Sequence, residues 1–350
     1  MKNKSVLTAF LIVTAMTLLT SCQNEDWNFP DYEYQSVYFS YQYPVRTIIL
    51  GDYTFNNEID NQRQFKVMAT TGGVYVNEND VMIDFVVDPS MVDGFVFDGS
   101  GNPIQSLPTN YYEFVSNSDQ LMIPKGELAG GATVQLTDAF FQDPDAFNTT
   151  YVLPVQMMSV ANADTILQGQ AKEIVSNPRR GVAGDWDVQP KDFTFYAVKY
   201  INQYDGFYLR RGEDVFTDVN GDTETIIRRA ESIVKDEVVE LNTQSLTQIT
   251  FPLIIQDSQG NNINITLLLD FDDQGNITVS DNAADYTASG SGTFFEKSES
   301  QENWGGENRA AIYLDYEIDW DQSQRRLETA DTLVMRDRGI GLETFSPVLP

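Results

Sequence analysis

From about residue 33 onward, apolar positions alternate with polar ones in short runs broken by Gly, Pro, Asn and Asp. Gln64 to Thr70 places Phe65, Val67 and Ala69 on one face. Val81 to Val87 repeats the habit and is closed by Asp88-Pro89. Ser36 to Tyr41, Val45 to Leu50, Tyr112 to Val115, Gln120 to Ile123, Ala132 to Leu136 and Tyr151 to Met157 read as further strands, rich in β-branched and aromatic residues. Asp98 to Pro108 reads as a loop. A polar, turn-rich stretch, Ser176-Asn177-Pro178-Arg179-Arg180-Gly181, then interrupts the text. A second series of strands follows, from Phe193 to Ile201 through Asn262 to Phe271, Ser289 to Phe295 and Ala310 to Ile318 to a last one at Thr332 to Arg336. Helical periodicity is nearly absent.

The pattern predicts an all-β protein of two domains. Residues 33–175 fit an immunoglobulin-like β-sandwich, 176–184 a linker, and 185–350 a second β-domain. Consecutive hairpins leave exposed edges, and closing them into an antiparallel, lipocalin-like barrel removes that problem. An open sandwich is the alternative for this half.

Residues 1–21 read as a signal peptide, with Lys2 and Lys4 before the apolar stretch Val6 to Leu19. Leu19-Thr20-Ser21-Cys22 has the form of a bacterial lipobox, with Cys22 as the lipidated residue and 22–32 as a tether. Gln23-Asn24-Glu25-Asp26 resembles the surface-export signal of Bacteroidetes lipoproteins. No later run approaches the ~20 apolar residues of a membrane-spanning helix. The expectation is a lipid-anchored outer-membrane protein facing the exterior.

Composition narrows the chemistry. The chain has 350 residues, no histidine and one cysteine. Ser-His-Asp and Cys-His catalysis, His-ligated zinc, an intrachain disulfide and cysteine-built metal sites are therefore excluded. With 22 basic against 52 acidic residues the net charge is -30, which repels a phosphate backbone and argues against nucleic-acid partners. No cofactor is expected. Asp218, Asn220 and Asp222 alternate like calcium ligands, but Gly221 precedes Asp222, and an Asn220-Gly221 hairpin turn explains the same letters better.

Several stretches resemble a known pairing of domains. Val37-Tyr38-Phe39, Leu107-Pro108 to Phe114, Met122-Ile123-Pro124-Lys125-Gly126 and Tyr151-Val152-Leu153-Pro154-Val155 resemble a domain of unknown function common in Bacteroidetes lipoproteins encoded beside SusC/SusD-type glycan-uptake systems. Tyr208-Leu209-Arg210-Arg211-Gly212, Gly290-Ser291-Gly292-Thr293-Phe294 and Asp331 to Arg338 resemble the barrel domain often paired with it. The resemblance implies a non-catalytic surface glycan-binding lipoprotein that holds polysaccharide or oligosaccharide for SusC/SusD-type partners. It carries no catalytic residues across. A structural or adhesive protein that binds other proteins is the alternative, and a carboxylate-based glycosidase is the least favoured reading.

A sugar site needs flat aromatic faces for C–H groups and polar groups for hydroxyls. Of the four tryptophans, Trp27 falls in the tether, Trp186 near the linker, and Trp320 ends an alternating strand. Trp304 stands in a polar, Gly-rich loop, with Asn303, Glu307 and Asn308 beside it as hydroxyl partners. Tyr111 and Tyr112, next to the long loop of the first half, are the second candidate pair.

Overall fold

The computed structural model describes residues 32–115, 120–256, 259–320 and 325–350. The signal segment, Cys22 and Trp27 lie outside the described residues. The all-β expectation holds: strand accounts for 53% and helix for 6%.

The first domain is one rolled sheet folded into two layers. Its strands are β1 (Ser36–Tyr38), β2 (Pro44–Ile49), β3 (Gln64–Gly72), β4 (Val81–Val87), β5 (Gln120–Ile123), β6 (Ala129–Leu136), β7 (Tyr151–Ala161) and β8 (Phe193–Ile201). One layer runs β1-β3-β6-β5-β4 and the other passes through β8 and β2. β7 joins them: its first half pairs with β8 and its second with β4, and the register slips between Met157 and Ser159. A local bulge of this kind bends a strand enough to serve two layers. Between the layers lie Phe39, Ile48, Phe65, Val67, Leu121, Val155 and Tyr200, all buried.

The domain boundary differs from the one the sequence suggests. Phe193–Ile201, expected as the first barrel strand, is β8 of the sandwich, antiparallel to β7 and parallel to β2. Segment 176–184 folds back over the sandwich instead of separating domains. Arg180 pairs there with the buried Asp192, and Trp186 donates its indole N–H to the carbonyl of Arg179 at 2.9 Å. The reason is two-sided burial. Phe193, Phe195 and Ala197 face a satellite core with Phe95 and Phe97, while Val198 and Tyr200 face the main core. The chain also returns at its end: β18 (Glu343–Thr344) pairs with β2, and Pro347–Val348 with Val96–Phe97.

The barrel between these segments is built from β9 (Gly206–Asp218), β10 (Thr223–Arg228), β11 (Glu237–Thr243), β12 (Gln248–Gln256), β13 (Asn262–Phe271), β14 (Asn276–Asp281), β15 (Thr287–Phe295), β16 (Ala311–Trp320) and β17 (Arg325–Asp337). Eight of them close the antiparallel barrel, β17 returning to β9. β10 is a hairpin extension on the distal half of β9, turned at Asn220-Gly221. Apolar side chains fill the interior, among them Tyr208, Phe251, Leu267, Leu314, Ile318 and Trp320. The closure is uneven. β11 and β12 are laddered only at Asn242–Thr250 and Thr243–Ile249, whereas every other neighbouring pair in the ring is laddered over five or more residues.

Candidate functional site

One end of the barrel meets the loop after β2, and a cleft of about 970 Å³ lies between them. The loop Gly51-Asp52-Tyr53-Thr54-Phe55-Asn56-Asn57 is held from behind by its own amides. Asn57 donates its side-chain N–H to the carbonyls of Ile49 and Gly51, and the Gly51 N–H donates to the Asn61 side chain. Gly51 has φ +84°, and a Cβ there would stand 2.4 Å from that of Gln203, so the two domains approach too closely for any other residue. Tyr53 lines the cleft and packs edge-on against Phe55 at 5.7 Å, while Phe55 itself is 72% exposed. Phe55 lies outside the cleft lining, so the half-buried Tyr53 is the aromatic of this loop that faces the cleft, and exposed Phe55 stands beside it.

The barrel wall supplies the polar groups. Gln203, Glu296, Lys297, Glu307, Asn308 and Arg309 line it, with Phe294 among them. Lys297 and Arg309 approach Glu307 at 3.3 and 3.8 Å. Four cations (Lys297, Arg309, Arg336, Arg338) face four acids (Asp52, Glu296, Glu307, Asp337), so the cleft is near neutral in a chain of net charge -30.

Arg338 forms the floor. Its guanidinium donates to the carbonyls of Leu50 and Asp52 at 3.1 Å each and to that of Asn202, thereby bridging the loop, the domain junction and the end of β17. Burial depresses its pKa; Tyr208 and Asp205 act in the opposite sense.

The sequence candidates divide. Glu307 and Asn308 line the cleft; Asn303 and Trp304 do not. Asn303-Trp304 and Glu307-Asn308 form a small hairpin through Gly305-Gly306. Trp304 folds down from it onto the barrel rim, where its indole N–H donates to the Met335 carbonyl at 3.0 Å. The Arg309 guanidinium covers the ring at 4.6 Å. Tyr111 and Tyr112 pack against the sandwich core. The Tyr111 hydroxyl donates to Asp143 at 2.6 Å, as does that of Tyr151. The strand pattern does not single out Tyr53 and Phe55; their signal in the sequence is two aromatics inside a polar run of Asp, Thr and Asn.

A second polar cluster sits inside the barrel. Arg210 bonds Asp331 at 3.0 Å and Tyr316 at 3.2 Å, and Arg228 bonds Asp214 and Asp331 at 2.6 and 2.7 Å. Arg210, Asp331 and Tyr316 are buried and satisfy one another, and they do not line the cleft. Among the described residues no group of three or more Asp, Glu, Cys or His is placed to hold a metal ion.

Comparison with known proteins follows this division. Residues 203–339 match a domain of unknown function, DUF5627. Residues 32–164 match a model described as an N-terminal domain. A Bacteroides ovatus protein of unknown function is 40% identical, with a TM-score of 0.85 over 91% of this chain and 100% of its own. An auxiliary nutrient binding protein from Bacteroides thetaiotaomicron is 14% identical, with a TM-score of 0.41 over 83% of this chain and 90% of its own. A putative carbohydrate binding protein from Bacteroides ovatus is 13% identical, with a TM-score of 0.26 over 89% of this chain and 99% of its own. No curated protein matches the chain.

Proposed function

We propose that this chain, which belongs to the same two-domain family as the Bacteroides ovatus protein 40% identical to it, is a non-catalytic binder of oligosaccharide at the cleft between its domains. The observation that carries the reading is the cleft itself. It offers Tyr53 and Phe294 as aromatic faces, with the exposed Phe55 packed edge-on against Tyr53 just outside it, Gln203, Asn57 and Asn308 as amides, and paired charges at its walls. Flat apolar faces beside convergent hydrogen-bonding groups are what a pyranose requires. In the same reading, Cys22 carries the lipid that anchors the protein at the outer membrane, the cleft faces outward, and SusC/SusD-type uptake proteins receive the glycan.

Binding is tested by a polysaccharide array followed by calorimetry on the full chain. Phe55→Ala and Tyr53→Ala should each weaken a bound glycan by about 1–2 kcal/mol, or roughly five- to thirtyfold. Unchanged affinity in both variants would remove the cleft from the proposal. Cys22→Ala should release the protein from the membrane fraction; continued fatty-acid labelling of that variant would rule out the lipid anchor.

A second reading rests on a different observation. Val219, Ile226, Ile227, Val234, Val238 and Ile254 are the exposed large apolar residues of the barrel, and all fall between β9 and β12. That surface suits contact with another protein. Ile227→Lys would disrupt such contact while leaving glycan affinity intact.

A further inference from the structure

β10 (Thr223–Arg228) pairs with β9 along one side, and among the described residues no strand is laddered to its other side. It runs six residues without a proline, a lysine or a bulge, the usual devices that keep an edge from pairing. Thr223 to Ile227 are exposed, with Ile226 and Ile227 at 42% and 70%. The hairpin fixes which backbone groups face the open side. The Asp218 N–H donates to the carbonyl of Asp222, the residue that the ladder sets opposite it. Alternation then turns the N–H and C=O of Glu224, Ile226 and Arg228 toward β9, and those of Thr223, Thr225 and Ile227 toward the open side.

The strand is complementary to itself in antiparallel register. With Ile226 opposite Ile226 of a second copy, Thr225 stands opposite Ile227, and the outward groups of both exchange bonds, twice over by symmetry. Glu224 then stands opposite Arg228, also twice. Opposite charges and apolar pairs set directly across a ladder are favourable. Moving the axis by one residue sets Ile226 against Glu224 or Arg228, and a half-residue shift brings inward-facing groups to the open side. Glu224 and Arg228 are already placed by their own chain, the first by Arg325 and the second by Asp214 and Asp331.

We propose that two copies of the chain join β10 to β10, antiparallel about a two-fold axis at Ile226, to make one continuous sheet. An isologous contact of this kind closes on itself as a dimer. The proposal rests on the reading that this face meets another protein, and it names that protein as a second copy. No residue of β10 lines the glycan cleft. The test uses the full chain carrying Cys22→Ser, so that no native thiol is present. Sedimentation between about 1 and about 200 µM, the range suited to a small interface, should show monomer and dimer in exchange. Thr225→Pro removes an N–H that faces the open side and spares the ladder to β9. It should weaken the dimer about tenfold or more with an unchanged unfolding temperature. Cβ atoms directly opposite lie about 4.5–5.5 Å apart, so Ile226→Cys should link the two copies by a disulfide on air oxidation. Glu224→Cys, about 13 Å from its counterpart in this register, should not. A monomer at every concentration, a dimer as tight in Thr225→Pro, or equal cross-linking at both positions would overturn the self-pairing. The broader reading fails separately, when Ile227→Lys alters no contact of the chain with another protein.

Discussion

Arg338 decides the relation of the two domains. Among the described residues its guanidinium has no carboxylate within ion-pair distance, and it donates to three backbone carbonyls from the loop, the junction and β2's end. Arg338→Met leaves those buried acceptors unpaired, which should cost about 2–3 kcal/mol in urea denaturation and loosen glycan binding with it. Trp304 is expected to behave differently. Trp304→Ala removes a ring clamped between the Met335 carbonyl and Arg309, so stability should fall by about 2–3 kcal/mol while affinity at the cleft changes little. Inside the barrel, burial alone would raise the pKa of Asp214, but Arg228 and Thr329 outweigh it and hold the carboxyl below the usual range. A carboxylate lowered on folding contributes stability above its unfolded pKa, about 3.9, and loses it as pH falls through the lower folded value. Acid unfolding should therefore steepen below about pH 4, and Asp214→Asn should flatten that limb of the stability curve.

At the level of elements, the least secured seam of the barrel is β11 against β12, laddered at only two residue pairs. Pro252, which has no N–H to donate, is laddered to Thr266 of β13 but lies in the part of β12 that has no ladder to β11. Amide hydrogen exchange should be fastest, among the eight strands of the ring, at the amides of 237–241 and 251–255 that face this seam, and slowest in β16 and β17. Equal protection around the ring would contradict the two-pair seam. Sequence made most strands legible. Val81–Val87, Gln120–Ile123, Phe193–Ile201 and Asn262–Phe271 appear at the very bounds that the alternation suggests. What alternation cannot reveal is which sheet a strand joins. β8 is apolar on both faces because a core lies on each side, and its letters suit either domain equally well. The cleft was hidden for a related reason. Its parts lie at 51–54, 57, 61, 203, 294, 296–298, 307–310 and 335–338, and only the docking of two domains brings them together. Trp304 drew notice as a large aromatic in a glycine-rich hairpin, yet a two-glycine turn lets such a ring fold back on its own domain as readily as face a ligand.

For the whole molecule, the site belongs to neither domain alone. The aromatic pair comes from the sandwich, and most of the charged wall comes from the barrel. A chain with residues 203–338 replaced by a short turn should remain folded and β-rich by circular dichroism, since β8 and β18 stay on the same polypeptide. It should also lose glycan affinity by well over tenfold. Retained affinity would place the binding surface in the sandwich alone.

The return of the chain to β2 has a further consequence for how the protein assembles. β18 and Phe345 complete the sandwich only after the whole barrel has been synthesised. Phe207 pairs with Asp337, so a folded barrel brings its own two ends side by side. An unfolded one leaves a loop of over a hundred residues between β8 and β18, and closing it carries an entropy cost that grows with loop length. The expected order is therefore that the later-made barrel closes first, after which the earlier-made sandwich receives its last strand at a lower entropy cost. A lesion confined to the barrel, such as loss of Asp331, would then surface as slow maturation of the other domain, visible in refolding kinetics before any change appears in the sandwich's own contacts.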